Sequence, residues 1–140
     1  MAGYSGTPLP KKLGIKDGSR VALLHAPEGF GDTLGELPDG VTVTRSPKGP
    51  VDVIVAFITE RAHLDAAIGL LERAIFPAGA IWIAWPKKAS KVVTDMNEDV
   101  VREVALPRGL VDNKVCAIDE VWSGLRIVWR TERRKGPPPG

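Results

Sequence analysis

Val51-Asp52-Val53-Ile54-Val55-Ala56-Phe57-Ile58 is apolar at every position but one. A strand with one solvated face alternates apolar and polar residues, whereas a strand covered on both faces reads as a nearly continuous apolar run. This stretch is of the second kind and predicts a central strand of a parallel sheet. The residues downstream support that reading. Thr59 is placed to cap a helix, and Leu64, Ala67, Ile68, Leu71 and Ile75 recur at helical spacing along one face. Phe76-Pro77-Ala78-Gly79 ends the helix, and a second apolar strand runs from Ala80 to Trp85. Strand, helix and strand in this order form a crossover unit, which joins parallel neighbours.

The same alternation extends outward in both directions. Upstream, Arg20 to His25 reads as a buried strand. A glycine-containing loop, Pro27-Glu28-Gly29-Phe30-Gly31, comes after it, with a helical piece near Asp32–Leu37. Val41-Thr42-Val43-Thr44 alternates as a half-exposed strand. Near the start, Thr7 to Gly14 predicts a short helix with Thr7 as N-cap, Pro8 at its first position and Gly14 at its stop. Downstream, Asp95 and Glu98 are spaced as a capping box for a helix bearing Val100, Val101 and Val104. Strands are expected from Val111 to Ile118 and from Leu125 to Trp129, with Trp122-Ser123-Gly124 as the turn of an antiparallel hairpin. The fold class expected is therefore α/β and doubly wound. It has a mainly parallel sheet, helices on both faces and a C-terminal antiparallel hairpin. Residues 1–130 form one domain, and 131–140 a disordered basic tail rich in proline and glycine.

Composition narrows the function classes. Hydrophobic residues make up 44% of the 140 positions and charged residues 26%, which suits a packed core. No apolar run approaches the ~20 residues of a membrane helix, and the first residues lack a signal peptide's pattern, so the expected location is the cytoplasm. The net charge is +2, and Glu132, Arg133, Arg134 and Lys135 of the tail account for that whole excess. A balanced body gives no support to nucleic-acid binding, which calls for a basic face. The single cysteine, Cys116, allows no internal disulfide and no thiolate zinc site. Its place inside a strand suits a small buried hydrophobe. His25 and His63 have no spacing that would pair them on a metal, so no metal site is expected.

Several segments also carry a family likeness. Tyr4-Ser5-Gly6-Thr7-Pro8-Leu9, Lys12-Leu13-Gly14-Ile15, Trp85-Pro86-Lys87-Lys88, Thr94-Asp95, Val111-Asp112 and the long run Lys114–Leu125 resemble a small bacterial family. Its designation is domain of unknown function thirty fifty-two. The resemblance covers nearly all of the chain except the tail and implies a fold without implying an activity. The order of elements, with the Pro-Gly turn before a central strand, is also similar to a trimmed methyltransferase-type Rossmann fold.

Open α/β sheets bind ligands beyond the carboxyl ends of their strands. The loops expected at that rim supply the candidate ligand-binding residues: Gly29, Phe30, Gly31, Trp85, Lys87, Lys88, Ser90, Asp119, Trp122 and Ser123. Lys87 and Lys88 suit phosphate or carboxylate as point charges, and a tryptophan offers a platform. Topology places Lys87, Lys88, Asp119, Trp122 and Ser123 close together. Gly29, Gly31 and Gly35 miss the Gly-x-Gly-x-x-Gly register by one residue, and Arg45 stands where an acid would hold a ribose hydroxyl. No nucleotide cofactor is therefore expected. Ser123 has no evident base and no general acid–base pair stands out, so no catalytic residues are assigned and the reading leans against an enzyme. The partners expected are a small anionic molecule at the rim or, alternatively, a protein at the rim or edge strand. A degenerate methyltransferase-like domain is the third reading, and the oligomeric state is open.

Overall fold

The structure is a computed structural model and describes residues 7–139. Its centre is a six-stranded sheet of β1 (Arg20–Leu24), β2 (Thr42–Thr44), β3 (Val53–Phe57), β4 (Ala80–Pro86), β5 (Leu110–Ala117) and β6 (Trp122–Trp129), in the order β2-β1-β3-β4-β6-β5. The first four are parallel, and β6 enters antiparallel between β4 and β5. The expected fold class is the one observed. All five residues of β3 are buried, as both faces of a central strand must be.

Helices cover both faces. On one lie α3 (Arg61–Ile75) and α4 (Glu98–Ala105), packing Leu64, Ile68, Leu71 and Val101 on Ile54, Ile81 and Leu125. On the other lie α1 (Leu9–Lys12) and α2 (Phe30–Leu34), where Leu9, Leu13, Phe30 and Leu34 join Val53, Val55 and Trp82. The Trp82 indole donates to the Leu13 carbonyl at 2.9 Å and fixes the end of α1 on the sheet. The connection from β2 to β3 carries no helix. Beyond β6, Thr131–Arg133 form a 3₁₀ turn, and Arg134 Nε donates to the Trp129 carbonyl.

Four local expectations need correction. Helix α1 begins at Leu9 with Pro8 as its cap residue, so Thr7 is not the N-cap, and Pro10 rather than Pro8 occupies the first turn. Helix α2 begins at Phe30, ahead of Asp32, because Gly29 adopts a left-handed φ of 83° that turns the chain straight into it. Thr59 does not cap α3: Glu60 is the cap residue, and the first amide bonds to Asp95 instead. Finally, Trp122-Ser123-Gly124 is not a turn. These residues lie inside β6, paired with Ala84 to Pro86 of β4, and the turn is Ile118 to Val121. Asp119 closes it, its Oδ1 accepting the amides of Val121 and Trp122 at 2.8 Å each. Gly124 serves close packing, since a Cβ there would lie 3.0 Å from Ile118 Cδ1 and 3.2 Å from Trp82 Cε3.

Candidate functional site

The strand order sets where a ligand crevice would open. From β1 the chain passes through α2 to β2 on one side. From β3 it passes through α3 to β4 on the other. The connections leaving the carboxyl ends of β1 and β3 therefore diverge, and ligands of doubly wound sheets bind at such a point. His25 comes after β1 there with a left-handed φ of 56°, which is uncommon for a residue with a side chain. Among the described residues only Lys91 shares that trait, at 62°, and it lies beyond β4 on the same rim.

The chain's own side chains occupy this point. Phe30 is 3% exposed and meets Phe57, the last residue of β3, edge-on with ring centroids 4.9 Å apart. Phe57 in turn meets Trp122 edge-on at 5.0 Å. Such edge-to-face contacts are favourable aromatic geometry, so the three rings form a packed row. The N-terminus of α3, whose free amides would suit an anion, receives the Asp95 carboxylate instead: Oδ1 accepts from the Arg61 amide at 2.7 Å. Thr94 Oγ1 donates to the Thr59 carbonyl beside it, so the two adjacent residues lace the loop after β4 across the end of β3. Asp95 does not cap α4. Asn97 does, its Oδ1 accepting from the Val100 amide at 2.9 Å.

The sequence-derived rim residues divide into groups. Lys87 and the hairpin tip come together, as the Lys87 amide donates to the Val121 carbonyl at 2.7 Å and Pro86 pairs with Trp122. Lys87 is half-buried and Lys88 exposed. Trp85 and Trp122 lie on opposite faces of the sheet, Trp85 buried against the α3 and α4 side and Trp122 packed on the α1 and α2 side. Ser123 pairs with Trp85 and points away from Trp122, because successive strand residues alternate faces. The Ser90 hydroxyl is engaged locally, donating to the Lys87 carbonyl at 2.7 Å and accepting from the Val92 amide at 3.3 Å. Asp119 is likewise committed to its turn. Gly29 and Gly31 shape and begin α2. What is left facing solvent includes three lysines and the exposed carboxylate of Glu120 in the hairpin turn. Lys87, Lys88 and Lys91 take part in no ion pair among the described residues, where every pair uses arginine or histidine.

Sequence reasoning missed Asp95 as the partner of α3. The contact spans 34 positions, and only the sheet order brings the two segments together. It also missed a cationic depression away from the rim, lined by Lys11, Lys12, Gly14, Asn113, Lys114 and Arg126. Its members come from α1 and from β5 and β6, which are far apart in the chain. Burial and then the nearby Arg134 lower the Arg126 guanidinium from its ordinary value. Burial pushes the neighbouring Cys116 thiol up, with Lys12 and Lys114 acting in the opposite sense.

Solved structures with this architecture include a SAM-dependent methyltransferase from Aquifex aeolicus, with a TM-score of 0.56 and 18% identity over 84% of this chain and 85% of that one. Another is the Methanococcus jannaschii fibrillarin pre-rRNA processing protein, with a TM-score of 0.58 and 13% identity over 88% of this chain and 69% of that one. At these identities the likeness is one of fold: a methyltransferase-type Rossmann sheet. No family model matches the chain, and no curated protein matches it in sequence. Among the described residues no helix is long and apolar enough to cross a membrane, and no cluster of His, Cys, Asp and Glu could hold a metal ion.

Proposed function

We propose that this chain is a methyltransferase-fold domain that binds a small anionic ligand on its carboxyl-end rim and transfers no methyl group. The observation that carries the reading is the disposition of charge at that rim. Lys87, Lys88 and Lys91 lie just past the end of β4 without an ion-pair partner among the described residues; of the acids nearby, Asp95 and Asp119 are spent on backbone amides and Glu120 alone faces solvent, so the local balance is positive. Lysines in such a loop attract phosphate or carboxylate by charge.

S-adenosylmethionine, which the fold neighbours bring to mind, does not fit these residues. Phe30 packs on Phe57 where the crevice would open, and Asp95 occupies the start of α3. After β2 stands Arg45 rather than an acid that could accept from ribose hydroxyls. The reading is tested by a thermal-shift screen of small phosphorylated and carboxylated molecules against the wild type and a Lys87→Ala/Lys88→Ala variant. A stabilising ligand whose shift disappears in the variant is expected. Retention of the full shift in the variant would contradict the reading.

One observation favours the protein-partner reading instead. Val92 and Val93 lie beside Lys91 with exposures of 46% and 94%. If they contact a partner, Val92→Asp/Val93→Asp abolishes that association and leaves the anion response intact.

A further inference from the structure

The cationic depression is built from both halves of the chain. Residues Lys11 and Lys12 are the last turn of α1, held over the sheet by the hydrogen bond from Trp82 to the Leu13 carbonyl. Lys114 and Arg126 are direct cross-strand partners on β5 and β6. Like charges placed opposite one another destabilise a sheet, so folding alone gives no reason for this pair. A register irregularity between Asp112 and Lys114 leaves Asn113 as an extra residue, and irregularities of this kind re-aim side chains next to binding sites. Asn113 Oδ1 accepts from Arg126 Nη1 at 3.2 Å and so orients the guanidinium without neutralising it. None of the four cations forms an ion pair among the described residues. Nor are the two lysine side chains needed to close α1, since the carbonyls of Leu9, Pro10 and Lys11 already accept the amides of Leu13, Ile15 and Gly14.

We propose that Lys11, Lys12, Lys114 and Arg126 form a second anion site, distinct from the rim, that takes a small polyphosphate. A forked guanidinium with ammonium groups around it matches clustered phosphoryl oxygens. The depression measures about 280 Å³, and its lining among the described residues is four cations, a glycine and an asparagine, which suits phosphates rather than a stacked base. The depression lies away from the rim lysines, and Arg134 of the chain's last residues adds its charge beside Arg126. Cys116 reports on occupancy: it lies two residues from Lys114 on the same face of β5, and the charges of Lys12 and Lys114 reach its sulfur.

Inorganic tripolyphosphate is the probe, titrated by calorimetry at low salt. Lys11→Ala/Lys12→Ala and Lys114→Ala/Arg126→Gln are each expected to weaken binding at least tenfold, and Lys87→Ala/Lys88→Ala to leave it unchanged. In the wild type the probe should slow alkylation of Cys116 severalfold. The α1 variant changes only residues at the helix surface, and a melt matching the wild type establishes that it folds. Four results overturn the proposal: no binding to the wild type below millimolar concentration, full affinity in the folded α1 variant, loss confined to the rim variant, or tighter binding of a single-stranded RNA oligonucleotide than of tripolyphosphate.

Discussion

Gly124 and Asp119 show how one residue type can serve a purpose its usual association does not suggest. Glycine beside serine after a tryptophan reads as a turn, but here the missing Cβ lets Ile118 and Trp82 close over the strand. Gly124→Ala forces those two side chains to shift, and overpacking of this kind costs about 1–3 kcal/mol. Urea denaturation should therefore show a lower midpoint with an unchanged slope. Asp119 carries the turn that Gly124 does not, through two amides on a single oxygen. Asp119→Ala leaves both amides without that acceptor and should cost about 1–2 kcal/mol, with little loss of rim anion binding. If it abolishes ligand binding while stability holds, Asp119 touches the ligand after all. Cys116 belongs at this scale too. Burial raises its thiol above the ordinary value, so less thiolate is present at neutral pH. Its alkylation rate should still be climbing at pH values where an exposed thiol has reached its plateau.

At the scale of elements, the departure at Asp95 has a plain cause: local rules assign each cap to its nearest helix. Asp95 and Glu98 have the spacing of a capping box, and α4 does start beside them, yet Asn97 caps α4 while Asp95 reaches across to α3. No short-range pattern distinguishes these outcomes, because the decision lies in how β3 and β4 bring the two segments together. Substituting Asp95 tests the assignment. Asp95→Ala removes the acceptor at the first turn of α3 and should destabilise the protein by about 1 kcal/mol, as loss of an N-cap does. Hydrogen exchange should locate the effect at Arg61 and its neighbours. An effect confined to 98–101 would contradict the assignment. The strands were more legible than the caps. The apolar runs of β3 and β4 announce burial on both faces by composition alone, and the structure puts every residue of both in the core.

For the molecule as a whole, the sheet and its two helical layers were readable from the alternation of elements. The juxtaposition of the rim loops was readable too. Topology correctly carried Lys87 to the hairpin tip, because parallel strands finish at one edge. What sequence could not reveal is which rim groups remain available. Ser90, Asp119 and Asp95 are polar and well placed, yet each is committed to the backbone. Phe30 looks like part of a flexible glycine loop but is anchored in the core. On the reading proposed above, the row of Phe30, Phe57 and Trp122 closes the crevice of this sheet and the lysines lie outside it. Calorimetric titration of the wild type with S-adenosylmethionine tests this most directly. The expected result is no heat of binding up to millimolar cofactor. A micromolar dissociation constant, about −8 kcal/mol, would show that the Phe30–Phe57 row does not close the crevice and would contradict the account.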